Sequence, residues 1–138
     1  MEFKIFEDAN EDIKKLRYDA FVVEKNIPEE IEFDGKDAFY KHFCLYDGQR
    51  LVASLRGTFE EDSFHIGRVA VPEDLRKKGY GKILINNLVS YLENTDCRKI
   101  ILSAIDSAVG FYEKLGFETK GDYFCEAGYP HINMEKTL

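Results

Sequence analysis

Two spacings of apolar residues recur along this chain, and they predict which segments are strands and which are helices. EFKIF, residues 2–6, alternates apolar and polar side chains as a half-buried strand does. After it, Ile13, Leu16 and Phe21 recur at helical spacing, and Asn10 stands where an N-cap side chain would accept a backbone hydrogen bond. The chain therefore predicts a strand followed by a helix.

The middle of the chain predicts a hairpin, a third sheet strand and a long helix. Residues 42–59 place an Asp-Gly pair between two apolar runs, which is a strong hairpin signal. FHIGRVAV, residues 64–71, is then another strand, and residues 79–94 carry apolar positions at helical spacing over about four turns. Residues 26–37, by contrast, predict a polar loop.

The last third predicts a buried strand at residues 99–104, a short helix that stops at Gly116, and a closing hairpin around Gly128. The resulting order, β-α-β-β-β-α-β-α-β-β, requires a parallel crossover in the middle and antiparallel hairpins elsewhere. We therefore predict an α/β (α+β) fold class. Its sheet would be mixed and mostly antiparallel, with about six to seven strands, a central parallel pair and flanking helices.

Length and composition favour a single domain over residues 1–138. An apolar fraction of 44% and an aromatic fraction of 14% can supply a core and argue against disorder. The formal net charge of −7 argues against nucleic acid as a partner, because neutralising phosphates requires a basic surface.

The cysteines and the N-terminus bear on metal sites and on location. The three cysteines are widely spaced and form no pair or cluster typical of zinc, so no metal is expected. The N-terminus lacks the basic start and apolar run of a signal peptide, and no segment is apolar for long enough to span a membrane. We expect a cytoplasmic protein with reduced thiols and no membrane partner.

VAVPEDLRKKGYGK, residues 69–82, concentrates cations and glycines in an acidic chain. It leads from an apolar strand through a short loop into a predicted helix. The first N–H groups of a helix have no intrahelical acceptors, and phosphate binds there when nothing blocks its approach. Gly79 and Gly81 would leave that approach open. Since the spacing matches neither the Walker nor the dinucleotide fingerprint, the stretch by itself predicts only an anion site.

Residues 66–89 and AVGFYEKLGFE, residues 108–118, together resemble the two main motifs of the GCN5-related N-acetyltransferase (GNAT) superfamily. The likeness covers most of the chain. Residues 18–37, the HF pair and EAGYPHINMEK, residues 126–136, are similar to the small single-domain bacterial branch that includes the ElaA-like proteins. The resemblance implies a GNAT-like fold and an acyltransferase that uses acetyl-CoA as cosubstrate.

The resemblance also implies which residues bind the cosubstrate. Backbone groups of Val69, Ala70 and Val71 would hold the pantetheine arm and orient the acetyl carbonyl. The loop and helix start that would hold the diphosphate comprise Arg76, Lys77, Lys78, Gly79, Tyr80, Gly81 and Lys82.

Two further positions are compared with the family. Tyr112 maps to the tyrosine that in many members stands near the thioester sulfur as general acid. Ile105 departs from the pattern, since many members carry there an asparagine that helps to hold the pantetheine arm. The backbone contacts of the strand do not depend on that side chain.

A protonated amine cannot attack a thioester, so the reaction needs a base or a water chain. The candidates are Glu24, His42, His65, Asp34 and Glu126. Glu24 and His42 are retained as catalytic candidates beside Tyr112, with a solvated helix end and a structural histidine as their alternatives. His131 is interpreted as structural, with a hydrogen bond across the closing hairpin.

Other charged residues are interpreted as structural. Arg68 would pair with a carboxylate and contribute stability. The acidic residues of the loop, Glu29, Glu30, Glu32 and Asp34, are expected to be solvated, with attraction of a cationic acceptor as the alternative.

We predict direct transfer of an acetyl group to a primary amine of a small molecule or peptide, because no cysteine lies in the motifs to carry a covalent intermediate. One alternative is a CoA-binding sensor or partner module without efficient turnover. Another is a phosphate- or nucleotide-binding protein that uses the same loop. The sequence leaves open whether the chain forms a homodimer.

Overall fold

The seven strands of the protein form one sheet in a computed structural model that describes all residues, Met1–Leu138. The strands are β1 (Glu2–Phe6), β2 (Lys41–Asp47), β3 (Arg50–Glu60), β4 (Ser63–Ala70), β5 (Lys99–Ile105), β6 (Glu118–Glu126) and β7 (Tyr129–Thr137). They lie in the order β1-β2-β3-β4-β5-β7-β6, and only the β4–β5 pair is parallel. The predicted mixed sheet with a central parallel pair is confirmed.

Four helices connect the strands: α1 (Glu11–Arg17), α2 (Glu29–Glu32), α3 (Tyr80–Leu92) and α4 (Val109–Lys114). The side chain of Asn10 accepts a 2.8 Å hydrogen bond from the Ile13 amide, which confirms the predicted cap. A π-helical turn, Tyr18–Val23, extends α1. None of these helices has the length and apolar character needed to span a bilayer.

The polar segment 26–37 is more ordered than the predicted loop. It contains the single turn α2, and a 3₁₀ turn, Asp37–Phe39, follows it. The side chain of Glu32 is buried although it is charged. Local periodicity could not reveal this, because the residues that bury Glu32 come from distant parts of the chain.

Side chains alternate along the strands and build a core on each face of the sheet. On one face, here called the α3 face, Ile100, Leu102 and Ala104 of β5 pack with Leu84 and Leu88 of α3. The opposite face, here called the α1 face, carries a smaller core formed by Ile13, Leu16, Ala20, Cys44, Tyr46 and Leu51, with Ala9 and Ala70. Each strand in the middle of the sheet therefore presents side chains to two different cores.

The parallel pair β4–β5 is joined over only part of its length. Ser63 to His65 pair with Lys99 to Ile101, and beyond these residues the two strands have no pairing with each other. Both strands nevertheless continue, to Ala70 and Ile105. They therefore separate and leave a gap in the middle of the sheet.

Candidate active site

A cavity of about 400 Å³ lies where β4 and β5 separate. Ala104 and Tyr112 line it and belong to the core of the α3 face. Ser103, Ile105 and His131 also line it, and strand alternation directs their side chains to the α1 face. The cavity therefore connects the two faces of the sheet, so that two reactants could meet from opposite sides.

The loop after β4 leads into α3 in the way the sequence predicted. The first hydrogen bond of the helix runs from the Ile83 amide to the Gly79 carbonyl, at 3.0 Å. The amides of Tyr80, Gly81 and Lys82 therefore have no intrahelical acceptor, and no side chain caps the helix start. This end of α3 carries partial positive charge and open N–H donors, as an anion site requires.

The two glycines of this loop serve different structural purposes. Gly79 has φ +89°, and a Cβ at this position would meet no atom within 4 Å, so glycine is needed there for its backbone conformation. Gly81 is buried, and a Cβ there would lie 3.1 Å from the Phe111 ring. Gly81 thus permits α3 to pack against α4, in addition to any role in anion approach.

Arg76 of the same loop is engaged by protein groups. Its guanidinium forms a bidentate ion pair with the carboxylate of Glu24, one arm of which measures 2.8 Å, and its Nε donates to the Val71 carbonyl at 3.1 Å. The hydrogen bond from Arg76 lowers the pKa of Glu24. Glu24 therefore contacts the predicted anion loop and does not line the cavity.

A β-bulge interrupts β4 beside the cavity. Ser54 of β3 pairs with Ala70 and Arg56 pairs with Gly67, which leaves Arg68 and Val69 without partners on β3. Arg68 has φ +53°, an uncommon conformation for a residue other than glycine. Since β5 has also moved away, backbone groups at Arg68 and Val69 lie on the cavity wall outside both ladders.

Tyr112 of α4 is the predicted general acid. Its side chain is buried in the core of the α3 face and borders the cavity. Burial raises the pKa of Tyr112 far above its ordinary value. The phenol therefore stays protonated at neutral pH and can serve as a hydrogen-bond donor on this side of the gap.

Three arginines and three carboxylates form an ion network beneath the α1-face mouth of the cavity. Arg17 contacts Glu32 and Asp37 at 2.7 Å each, and Arg56 contacts Asp34 at 2.7 Å and Asp37 at 2.9 Å. Arg68 Nε lies 3.0 Å from Glu32 Oε1, without the alignment of a hydrogen bond. These six residues are called the ion network below.

The ion network changes the interpretation of the acidic loop. Burial raises the pKa of Glu32, while the neighbouring Arg68 and Arg17 oppose that rise. The hydrogen bonds from Arg56 lower the pKa of Asp34 strongly. The expectation that these residues are solvated is wrong for Glu32, which is buried, while Asp34 is half-buried against Arg56 and Glu29 and Glu30 are exposed. The expected pairing of Arg68 with a carboxylate is confirmed. The buried pairing of Arg17 had no signal in the sequence.

The structure separates the base candidates. His42 is fully buried, its Nε2 donates to the Asp37 carbonyl at 2.8 Å, and it is not part of the cavity wall. His65 and Glu126 do line the cavity, and His65 Nδ1 contacts the Glu60 carboxylate. Asp34 is taken up by Arg56. Of the five candidates, only His65 and Glu126 border the space where an acceptor could react.

His131 also lines the cavity, which sequence reasoning missed. Its Nδ1 lies 2.8 Å from the Tyr129 carbonyl, and its Nε2 lies 3.6 Å from the Glu126 carboxylate. The Phe124 ring stacks on it, with ring centroids 6.1 Å apart. The predicted hydrogen bond across the hairpin is replaced by one to a residue two positions earlier on the same strand. The structure contains no group of three or more acidic, His or Cys side chains suited to a metal ion.

Comparisons with known proteins agree with this architecture. The family profile of the acetyltransferase (GNAT) domain matches residues 8–138. The Bacillus subtilis protein YjcF, described as an uncharacterized N-acetyltransferase, is 30% identical over 131 residues, which cover 94% of each chain. A protein of solved structure from Lactobacillus plantarum is 26% identical with a TM-score of 0.89, over 100% of this chain and 99% of the other.

Two further solved structures share the fold. Escherichia coli ElaA is 27% identical, covers 98% of each chain and has a TM-score of 0.83. A Bacillus subtilis acetyltransferase solved in complex with CoA has a TM-score of 0.75, over 99% of this chain and 98% of the other, at 17% identity, which is a likeness of fold alone.

Proposed function

Because the chain belongs to the GNAT acetyltransferase family and is an acyltransferase, we propose that it moves the acetyl group of acetyl-CoA directly to a primary amine. The observation that carries this proposal is the cavity through the sheet. Tyr112 lies on its α3 side, unpaired strand backbone lies on its wall, and the uncapped start of α3 follows that strand. A cytoplasmic location and a small-molecule or peptide acceptor are parts of the same proposal.

The cosubstrate would bind along two elements of the α3 face. The amides of residues 80–82, with Lys77, Lys78 and Lys82 exposed beside them, offer donors and cations for the diphosphate. The strand residues Val69, Ala70 and Val71 would hold the pantetheine arm through backbone groups. Support for CoA as the ligand comes from the same fold in the CoA complex named above.

The reaction requires stabilisation of a tetrahedral oxyanion. In this proposal a backbone N–H at the bulge, near Val69, donates to that oxygen, and one such donor is typically worth about 3 kcal/mol. Tyr112 donates a hydrogen bond to the departing sulfur. Because burial raises the pKa of Tyr112, full proton transfer is uphill and its contribution is modest.

CoA binding by the loop is tested with a charge placed at the helix start. We expect Gly79→Glu to weaken CoA binding at least about tenfold by calorimetry, because the carboxylate repels the diphosphate. Gly48→Glu is the matched control, since Gly48 also has a positive φ of +61° with no atom near its Cβ position, in the β2–β3 turn. Equal losses for the two folded variants would contradict the assignment of the loop.

Turnover is tested by thiol release from acetyl-CoA with a panel of primary amines. Amine-dependent release supports the proposed transfer. Tight CoA binding with no release for any amine would favour the sensor or partner module, for which Ile105 at the cavity wall is the supporting observation. Thermal stabilisation by ATP equal to that by CoA would favour the nucleotide-binding alternative, and no binding of CoA would refute the proposal.

A further inference from the structure

The α1-face mouth of the cavity holds a histidine whose contacts leave one ring nitrogen available. We propose that His131 Nε2 accepts a proton from the acceptor amine, with the Glu126 carboxylate 3.6 Å from that nitrogen. This inference rests on the proposed acetyl transfer. It assigns the role of base to His131. Glu24 and His42, the two candidates retained from the sequence, lie outside the cavity wall.

The strand order places His131 on the wall of the cavity that Val69 also lines. The pairing of β4 with β5 ends at His65 and Ile101, and beyond it β4 carries the bulge while β5 continues to Ile105. Ile105 is paired with His131 on β7. The gap and β5 therefore separate His131 from the bulge, and both His131 and Val69 line the same cavity.

His65 is the other histidine of the cavity wall, and its position is less favourable. It lies four residues before Val69, which corresponds to about 13 Å along a strand. Its Nδ1 is also engaged by Glu60, and its side chain is 43% exposed against 12% for His131. His131 therefore has the more enclosed environment, and its Nε2 is not taken up by a hydrogen bond.

The hydrogen bond at Nδ1 selects the tautomer of His131. A carbonyl oxygen only accepts, so Nδ1 must carry the proton that it shares with the Tyr129 carbonyl at 2.8 Å. In the neutral ring Nε2 then has a free lone pair. Phe124 stacks beside the ring, and the Glu126 carboxylate lies 3.6 Å from Nε2, opposite the positive charge that the ring gains with the proton.

The other charged groups around the cavity are less suited to accept a proton. Glu32 is held by Arg17 and Arg68, and Arg56 is held by Asp34 and Asp37. Lys25 also lines the cavity and is a cation. Among the lining residues, only His131, His65 and Glu126 can accept a proton without first breaking a buried ion pair.

The proposed step balances with solvent as the only further reactant. An ammonium N–H bond breaks and an Nε2–H bond forms, and the neutral amine attacks the thioester carbon. The carbonyl electron pair moves to oxygen and returns as the C–S bond breaks, with its pair leaving on sulfur. The nitrogen loses its second proton to water, the thiolate accepts a hydrogen bond from Tyr112 and a proton from solvent, and His131 returns its proton to solvent.

The test compares two amines of similar size, ethylamine and trifluoroethylamine. Ethylamine is protonated at neutral pH and needs a base, whereas the fluorinated amine is already neutral. For His131→Gln we expect a loss of about 100-fold or more in kcat/KM with ethylamine and a much smaller loss with trifluoroethylamine. CoA affinity, measured by calorimetry, should be unchanged. For Glu126→Gln we expect a loss with ethylamine that is smaller than that of His131→Gln, because the imidazolium loses its anionic neighbour but the base remains.

His65→Gln is the matched comparison, since it makes the same substitution on the same face further along the strands. Equal losses with both amines in His131→Gln, or an amine-dependent loss in His65→Gln instead, would overturn the assignment and leave the proposed transfer standing. An absence of amine-dependent thiol release in the unsubstituted protein would refute the proposed function, and the His131 assignment with it.

Discussion

Replacing Arg17 with methionine is expected to be among the most destabilising single changes in the protein. The Arg17 side chain is 1% exposed, and it binds Glu32 and Asp37 at 2.7 Å each as well as the Glu32 carbonyl at 3.0 Å. Methionine can fill much of the same space but supplies no charge and no donors. The substitution therefore tests the ion network with a limited loss of packing volume.

The expected loss of stability in Arg17→Met follows from the burial of its ion pairs. Removing one partner of a buried ion pair typically costs about 3–5 kcal/mol, since the remaining charge is left without compensation. In Arg17→Met, Asp37 keeps Arg56 and Glu32 keeps Arg68 as their partners, so we expect a loss near the lower end of that range. For a domain of this size, that loss corresponds to a decrease of about 10 °C in Tm.

The loss of stability in Arg17→Met should decrease as the pH is lowered. Burial already raises the pKa of Glu32, and Arg17 is one of the groups that oppose the rise. Without Arg17 the folded-state pKa rises further above the unfolded value of about 4.3. A carboxyl group with a raised folded-state pKa favours folding while it is protonated, and this contribution is lost as pH increases through that pKa. The loss of unfolding free energy caused by Arg17→Met should therefore be smaller at about pH 5 than at about pH 8.

The assay is urea unfolding followed by far-UV circular dichroism, because the chain contains no tryptophan. Arg50→Met is the matched control, since it removes the same side chain from an ion pair with Asp74 in which both side chains are more than half exposed. We expect this control to change stability much less, and with little dependence on pH. If the two variants lost equal stability at both pH values, the account of the network as buried and coupled would be wrong.

Two further predictions concern the anion loop and the general acid. Glu24→Gln should strengthen CoA binding by a few fold, measured by calorimetry, because the Glu24 carboxylate competes with phosphate for Arg76. A large loss of turnover without a gain in CoA affinity would instead support Glu24 as the base. Tyr112→Phe should lower kcat by about 10- to 100-fold, measured by thiol release, with little effect on CoA affinity; equal losses in both would assign the hydroxyl to binding.

Much of the fold could be predicted because the relevant signals are local. The hairpin turns, the cap at Asn10 and the glycine at the start of α3 each depend on a few neighbouring residues, and the structure confirms them. The loop before α3, with the uncapped helix start that follows it, also depends on local signals. It was predictable because the sequence itself carries the glycines, the cations and the helix that follows them.

The acceptor side of the site could not be predicted in the same way, because it depends on long-range pairing. Residues 17, 32, 37, 56 and 68 meet only after the sheet has formed. His131 reaches the cavity that Val69 also lines only through two successive strand pairings, β4–β5 and β5–β7. A polar pattern such as the acidic loop cannot reveal whether its partners are water molecules or arginines from elsewhere in the chain.

The ion network also has a mechanical consequence for the bulge. A positive φ at a residue other than glycine typically costs about 1 kcal/mol or more, so the bulge at Arg68 persists only where other contacts stabilise it. Arg68 donates to the carbonyls of Ile31 and Glu32 at 3.2 Å each and pairs with the Glu32 carboxylate. The segment around α2 thereby holds the backbone next to Val69 in its unpaired conformation. We therefore expect Glu32 and Asp34 to influence acetyl transfer by fixing this backbone, because arginines already neutralise both carboxylates and leave them little charge to attract a cationic acceptor.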